Sequence, residues 1–420
     1  MDTKITRTPT QSEQEDGTPP DRPRCIVAVG VRILRYLALF AAWAVCLATI
    51  VVGLVFFAPR MPGRALLNTV SLAALVVPWL TVPLLVAVLL TVVIAAMAWH
   101  SGRRVLLAAG ALATVVGLFV IVTPWWSART TAKEYGVSLS WSEFFPTPTP
   151  PSPTETRTYQ RIENQDLHAD IYRPQVPAPS RAALLYVHGG GWNSGARSDS
   201  AQWFEWLAQQ GITVFSIDYR LAPPPRWQDA VGDVKCALGW IRSQAADYDI
   251  APSNVSIAGD SAGGQLALMA AYTVEDRQFP PSCAVPEAPV RSVMGWYAPT
   301  DLPSLITHTR LPNSLQQYLG DYLGTDNATQ PARIAQISPI SHVRTGLPPT
   351  LLVQGDIDRM IPNTQAPALV DRLHAVNVPA EAVVIPWVDH NFTGQWDSWG
   401  SQFLRPVVQN FLQKYALDED

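Results

Sequence analysis

Cysteine, histidine and charge are all scarce in this chain: it has four cysteines and seven histidines among 420 residues, and only 15% of residues are charged. No Cys-x-x-Cys or His-Glu-x-x-His spacing occurs, so the sequence implies neither a metal site nor a cofactor. The formal net charge of −4 leaves no basic surface that would attract nucleic acid. No internal repeat is evident. Cys25 and Cys46 fall in the apolar front of the chain, whereas Cys236 and Cys283 fall in its second half. An outside location would permit a disulfide between that second pair. The amphipathic pattern of Trp227 to Ser243 instead favours Cys236 as a small core residue.

What is abundant is apolar sequence before residue 127. A bilayer core is crossed by about 20 apolar residues, and three stretches qualify: 36–58, 75–98 and 105–126. The run from Ala65 to Trp99 contains Pro78 and Pro83 and reads as one span preceded by an interfacial stretch. Trp125 and Trp126 close the third span and suit the aromatic belt at the water boundary. Arg22, Arg24, Arg32 and Arg35 precede the first span, and His100, Arg103 and Arg104 separate the second from the third, although Arg60 and Arg64 lie in the first loop. The positive-inside rule then puts the N-terminus in the cytoplasm, and three crossings put the rest of the chain outside. A long polar tail before the first apolar run argues against a cleaved signal peptide. Residues 1–35 read as a disordered tail with a basic flank. Residues 127–156 read as a juxtamembrane segment and linker, in which Pro146 to Glu155 forms a semi-rigid polyproline spacer that holds the following domain off the membrane.

Residues 157–420 carry the chemistry. Gly259-Asp260-Ser261-Ala262-Gly263 stands between the β-branched run Val255 to Gly259 and the Ala, Leu and Met-rich Gln265 to Tyr272, which is strand, tight turn and helix. Glycines two before and two after the serine allow a strained turn that exposes its hydroxyl at a helix N-terminus, where N–H groups and the helix dipole favour negative charge. Upstream, His188-Gly189-Gly190-Gly191-Trp192 follows the apolar run Ala183 to Val187. Its glycines let the N–H groups of Gly189 and Gly190, with that of Ala262, approach an oxygen that becomes negative. One such donor is worth about 10²–10³ in rate. His188, Gly191 and Trp192 read as the supporting part of this loop.

A serine nucleophile needs a base, and the base needs an orienting acid. The strand pattern Thr350 to Gln354 runs into Gly355-Asp356-Ile357-Asp358, and Ala382 to Val388 runs into Asp389-His390-Asn391-Phe392. Asp358 is the candidate acid, with Asp356 a turn residue; His390 is the candidate base, with Asp389 tightening its turn. The order Ser, Asp, His is that of an α/β-hydrolase and differs from the chymotrypsin and subtilisin orders. His168, His308, His342 and His374 read as surface or loop residues. Trp192, Trp203 and Trp296 are candidate linings of an apolar pocket.

An opening hairpin (Tyr159 to Ile162, Leu167 to Tyr172) precedes strands at Ala183 to His188, Ile212 to Asp218, Val255 to Gly259, Ser292 to Tyr297, Thr350 to Gly355 and Ala382 to Val388, with helices between them. This alternation predicts a mostly parallel α/β sheet flanked by helices, with the site at the C-terminal ends of its strands. Leu302 to Ile337 is the candidate lid.

From about Tyr159 onward the chain resembles the α/β-hydrolase superfamily, in particular its hormone-sensitive-lipase-like, acetyl-esterase, feruloyl-esterase and kynurenine-formamidase-like groups. The matching pieces are Asp170 to Pro174, His188 to Trp192, Asp218 to Pro223, Gly259 to Gly264, Ser338 to Ile340, Gly355 to Pro362 and His390 to Phe392. Pro224 and Asn391 depart from the usual pattern, which has glutamate and glycine there. The resemblance implies Ser261 as nucleophile, Asp358 as acid, His390 as base, and the N–H groups of Gly189, Gly190 and Ala262 as an oxyanion hole. The expected activity is serine ester hydrolysis of a small-molecule or lipid ester through an acyl-enzyme, by a protein integral to the membrane and without cofactor. O-acyl transfer or amide hydrolysis uses the same triad, and a non-catalytic binding module is the third reading.

Overall fold

The computed structural model describes residues 22–57, 81–144, 150–176, 178–324 and 330–417. The chain divides into two compact units, residues 1–51 with 86–117, and residues 52–85 with 118–420.

The first unit is helical. Helices α1 (Arg22–Phe57), α2 (Thr81–His100) and α3 (Arg104–Glu134) contribute to it, and each contains a stretch long and apolar enough to cross a membrane: Gly30–Leu54, Val82–His100 and Arg104–Glu134. Small residues let these helices approach closely. A Cβ at Gly110 would lie 3.2 Å from that of Ala95, and one at Gly117 would lie 2.4 Å from Val88. The Thr91 and Thr114 hydroxyls share a hydrogen bond of 2.9 Å. The expected start of the second span, residues 75–80, lies outside the described residues.

The second unit is built on one eight-stranded sheet of order β1-β2-β4-β3-β5-β6-β7-β8. Strands β1 (Glu155–Ile162) and β2 (Gln165–Tyr172) form the predicted hairpin, and β2 lies antiparallel to β4 (Thr213–Ile217). From there β3 (Ala183–Val187), β5 (Val255–Asp260), β6 (Val293–Trp296), β7 (Thr350–Gly355) and β8 (Ala380–Ile385) run parallel. Strand β3 is buried along its whole length, as a central parallel strand covered on both faces must be. Its side chains alternate. Leu185 and Val187 join the core with helices α5 (Asp229–Ser243), α6 (Ser261–Tyr272) and α10 (Gln365–His374). Leu184 and Tyr186 join the core with α4 (Ala201–Gln209) and α11 (Trp399–Leu412).

Three expectations gain detail. Strand β8 ends at Ile385 instead of Val388 because Pro386 has no N–H for the ladder and Trp387 turns with φ 59°. The candidate lid contains three short helices, α7 (Leu302–His308), α8 (Pro312–Leu323) and α9 (Gln330–Gln336). Cys236 is not a free core residue: it forms a disulfide with Cys283, tying α5 to the 279–289 loop. The start of the proline-rich spacer, residues 146–149, lies outside the described residues, and the segment ahead of it packs on the sheet domain. Helix α3 runs past Trp126 to Glu134, Tyr135 packs edge-on to Phe403 at 5.4 Å, and Ser140 N–H donates to Gln402 Oε1 at 2.8 Å.

The disulfide closes a loop across a sequence separation of 47 residues. Cross-links of this kind stabilise a domain by about 2–4 kcal/mol, chiefly by restricting the unfolded chain. Cys283→Ser should therefore lower the urea midpoint of the sheet domain by a corresponding amount, and the wild type should lose the same increment in reductant; no change in either would show that the cross-link is not formed.

Candidate active site

Strand β5 delivers Ser261 at the first position of α6, with φ 49°. Positive φ in a residue that has a Cβ costs energy and persists only where packing enforces it. The enforcing contacts are short. A Cβ on Gly263 would stand 2.1 Å from Val187 O, and one on Gly259 would stand 2.4 Å from Gly263 O. The two glycines thus let helix, strand β5 and strand β3 converge until the serine hydroxyl has one way out.

Strands β7 and β8 are neighbours, and the loops after them meet the serine. Ser261 Oγ lies 2.9 Å from His390 Nε2, and His390 Nδ1 lies 2.9 Å from Asp358 Oδ2. The remaining capacity of the Asp358 carboxylate is filled: Oδ1 accepts the N–H groups of Met360 and Ile361 at 2.9 and 2.8 Å, and Oδ2 accepts Gln354 Nε2 at 2.8 Å. Asp356 instead accepts the N–H of Trp387 and holds the β8 turn. His390 is followed by Asn391 at φ 60°. Asparagine is one of the few residues other than glycine that tolerates this conformation, which explains the departure from glycine seen in the sequence.

The structure brings together the other sequence-derived residues with one correction. Gly189, Gly190, Gly191, Trp192, Ala262, Ser261 and His390 all line one cavity of about 480 Å³. Gly189 N–H, however, donates to Asp260 Oδ1 at 2.9 Å and is not free to serve an oxyanion. Gly190 and Gly191, at φ 115° and 59°, have no N–H partner among the described residues, and Ala262 lies in the first turn of α6, where no intrahelical acceptor exists. His188 is buried beneath the loop, with Nδ1 2.7 Å from Gly189 O and its ring stacked on Tyr219. Trp192 reaches the cavity, while Trp203 and Trp296 are fully buried in the sheet core and line no part of it. The rest of the wall includes Leu315, Tyr318, Met360 and Ile361. His168, His308, His342 and His374 hydrogen-bond or pair elsewhere and do not reach Ser261.

Three residues gain roles that the sequence reading did not assign. Asp260 accepts Tyr186 Oη–H at 2.8 Å besides Gly189 N–H, so the residue before Ser261 anchors the glycine loop. Burial pushes its carboxyl above the usual range, against those hydrogen bonds. Asp389 does more than tighten a turn. Its carboxylate accepts the N–H of His390 at 2.7 Å, the N–H of Arg359 at 3.1 Å and the Arg359 guanidinium, all while almost fully buried. The loop bearing Asp358 is thereby tied to the loop bearing His390. An adjacent Asp and Arg in these two motifs was the available signal, but nothing in sequence distance says that they meet.

For His390, burial alone would lower the imidazole pKa, but the facing carboxylates of Asp358, Asp389 and Asp260 outweigh it and hold the pKa above its ordinary value.

The eight-stranded sheet, its crossover helices and the serine at the turn between β5 and α6 define an α/β-hydrolase domain, and comparison with known proteins agrees. Residues 169–373 match the BD-FAE family. The chain is 30% identical over 259 residues to the probable carboxylic ester hydrolase LipM of Mycobacterium tuberculosis, covering 59% of this chain and 58% of LipM. It is 32% identical over 234 residues to esterase LipC of the same bacterium, covering 53% of this chain and 56% of LipC. The chain thus spans somewhat more than half the length of these relatives. Among solved structures, a thermophilic esterase of Thermogutta terrifontis in its native form is 26% identical, with TM-score 0.52 over 62% of this chain and 91% of that one. Its propionate-bound form is 25% identical, with TM-score 0.54 over 65% and 98%.

A base must be neutral to accept a proton, so a raised His390 pKa moves the acid limb of a rate profile above the ordinary imidazole value of about 6.5. Asp389→Asn removes one of the carboxylates that raise it. The acid limb of kcat/KM should shift to lower pH in that variant, scored on enzyme that still reacts with a fluorophosphonate; an unmoved limb would leave Asp389 with a structural role alone.

Proposed function

We propose that this protein is a membrane-anchored serine ester hydrolase whose catalytic domain lies outside the cytoplasmic membrane. The observation that carries the reading is the hydrogen-bonded series Ser261, His390, Asp358, with both links at 2.9 Å, on the floor of a cavity. The names of its mycobacterial relatives as a carboxylic ester hydrolase and an esterase point the same way.

The steps follow from the contacts. Ser261 Oγ attacks the ester carbonyl carbon as its proton passes to His390 Nε2, while Asp358 keeps the other ring nitrogen protonated and supports the imidazolium. The carbonyl oxygen takes the negative charge and is received by the N–H groups of Ala262, Gly190 and Gly191. His390 returns the proton to the departing alkoxide, the alcohol leaves, and Ser261 holds the acyl group. Water then attacks this acyl-enzyme, giving its proton to His390, and the carboxylic acid departs as Ser261 regains its proton.

Three helices long enough to span support the anchor, and the basic residues before the first and between the last two support an inside N-terminus. The Cys236–Cys283 disulfide supports an oxidising compartment for the domain, independently of charge.

Ser261→Ala in the full-length protein should lower kcat for p-nitrophenyl acetate by about 10⁶-fold and end labelling by a fluorophosphonate; retained turnover refutes the assignment. A C-terminal epitope should be removed by protease added to intact cells, and protection of that epitope contradicts the outside location.

A further inference from the structure

Helix α8 is held at both ends beside the catalytic cavity. Ahead of its first turn, Arg310 N–H donates to Arg359 O at 2.9 Å and Thr309 Oγ1 donates to Met360 O at 3.0 Å, which fixes the start of the helix to the loop that carries Asp358. At its other end Asp321 Oδ2 accepts Asn193 Nδ2 at 2.9 Å, Tyr322 stacks on Trp192 with ring centres 4.7 Å apart, and Tyr322 O accepts Arg226 N–H at 3.0 Å. The helix therefore bridges the Asp358 loop and the glycine loop. Between these ends Leu315 and Tyr318, one turn apart on the same face, line the cavity, whereas Leu319 and Tyr322 pack into the core.

Tyr318 is placed differently from the other tyrosines around the site. Tyr186, Tyr219 and Tyr322 are buried, with hydroxyls that donate to Asp260, His188 O and Trp227 O. Tyr318 is half-buried, and its hydroxyl has no hydrogen-bond partner among the described residues. Its ring rests on the backbone of Gly191, where a Cβ would stand 2.6 Å from Tyr318 Cδ1 and 2.8 Å from Cε1. In the mechanism above, this is one of the residues whose N–H groups receive the carbonyl oxygen of the ester.

The direction taken by each half of the ester follows from that placement. With the carbonyl oxygen on the N–H groups and the carbonyl carbon on Ser261 Oγ, the alkoxy oxygen must face His390 Nε2 to take its proton. The acyl chain is left with the opposite side. On the His390 side the cavity is polar: Asn391 and Gly394 follow the imidazole in the chain, and Thr393 O accepts Trp203 Nε1, which brings up Ser200 at the start of α4. The side formed by α8 and the residues at its two ends is apolar, with Trp192, Leu315, Tyr318, Met360 and Ile361. Burying hydrocarbon there is favourable, up to the point where the wall is reached.

We propose that Tyr318 is the specificity-determining residue for the acyl half of the substrate, its ring forming the end wall of the apolar side and restricting the enzyme to esters of short-chain acids. This rests on the esterase reading above. Because α8 is tied to both loops, the ring cannot swing aside without breaking contacts that also place the glycine loop, so a long chain is excluded. A methylene that a hydrophobic pocket does not fit costs about tenfold or more in kcat/KM.

The test varies one half of the ester at a time, on full-length enzyme in detergent, with rates normalised to the sites that a fluorophosphonate labels. The p-nitrophenyl esters of acetate, butyrate and octanoate vary the acyl half, and ethyl, butyl and octyl acetate vary the alcohol. Wild type should have a kcat/KM for octanoate about tenfold or more below that for butyrate, and Tyr318→Ala should raise the octanoate value about tenfold. Tyr318→Phe should match wild type, because the ring and not the hydroxyl is the wall. Tyr318→Trp brings the wall inward and should lower butyrate about tenfold relative to acetate. None of the three should reorder the alcohol series. A wild-type preference for octanoate, an acyl ranking unmoved in both Tyr318→Ala and Tyr318→Trp, or a shift confined to the alcohol series overturns the proposal and leaves the esterase reading standing. Wild-type turnover of no ester in either series removes that reading itself.

Discussion

The hydrogen bond between Asp358 and His390 is the constraint on which the rest of the site depends, because it joins two loops that belong to different strands and have no other reason to agree in position. Strands β7 and β8 bring those loops side by side, and at Gly355 the backbone of the second loop passes so close that a Cβ would stand 2.4 Å from Val388 O. The sheet fixes where the loops begin. It does not fix where they end to within a hydrogen bond. That precision comes from Asp389 and Arg359, a buried ion pair whose backbone N–H contacts reach both loops at once. A buried pair of this kind gains little stability over apolar packing, and breaking it by removing one partner leaves an uncompensated charge at a cost of about 3–5 kcal/mol. What it supplies here is register between Asp358 and His390.

A second network fixes the serine side. Asp260 is held between Tyr186, from the middle strand β3, and the N–H of Gly189, so the glycine loop is referenced to the nucleophile by a single carboxylate. The strained backbone at Ser261 and the close approaches of Gly259 and Gly263 work in the same direction: each removes an alternative position for the hydroxyl. Catalytic groups that need no rearrangement at the moment of reaction are worth more than the same groups on mobile supports, because the cost of ordering them is met during folding.

The C-terminal part of helix α3 and the turn after it belong to the sheet domain, with Ala132 and Val137 in the same apolar cluster as Phe403 and Leu404.

Much of this was legible in the amino-acid order. Hydrophobic periodicity located the sheet strands, and the short-range motifs around Ser261, Asp358 and His390 marked three side chains that the fold brings into one hydrogen-bonded series, because turn geometry and strand burial depend on neighbours a few residues away. The apolar runs announced helices long and apolar enough to cross a membrane for the same reason. Other assignments needed the tertiary structure. Gly189 looked equivalent to Gly190 until Asp260 was seen to occupy its N–H. Trp203 and Trp296 were indistinguishable from Trp192 as pocket linings, since a tryptophan packs a core or a cavity wall equally well. The pairing of Cys236 with Cys283, the clamp between Arg359 and Asp389, and the seating of α3 along α11 join residues that are 30 or more positions apart in the chain. The sequence by itself determined which local shapes and which reactive groups the chain would carry. Which of those groups meet was decided only when the folded core brought distant residues into contact and used up the hydrogen-bonding capacity of some of them.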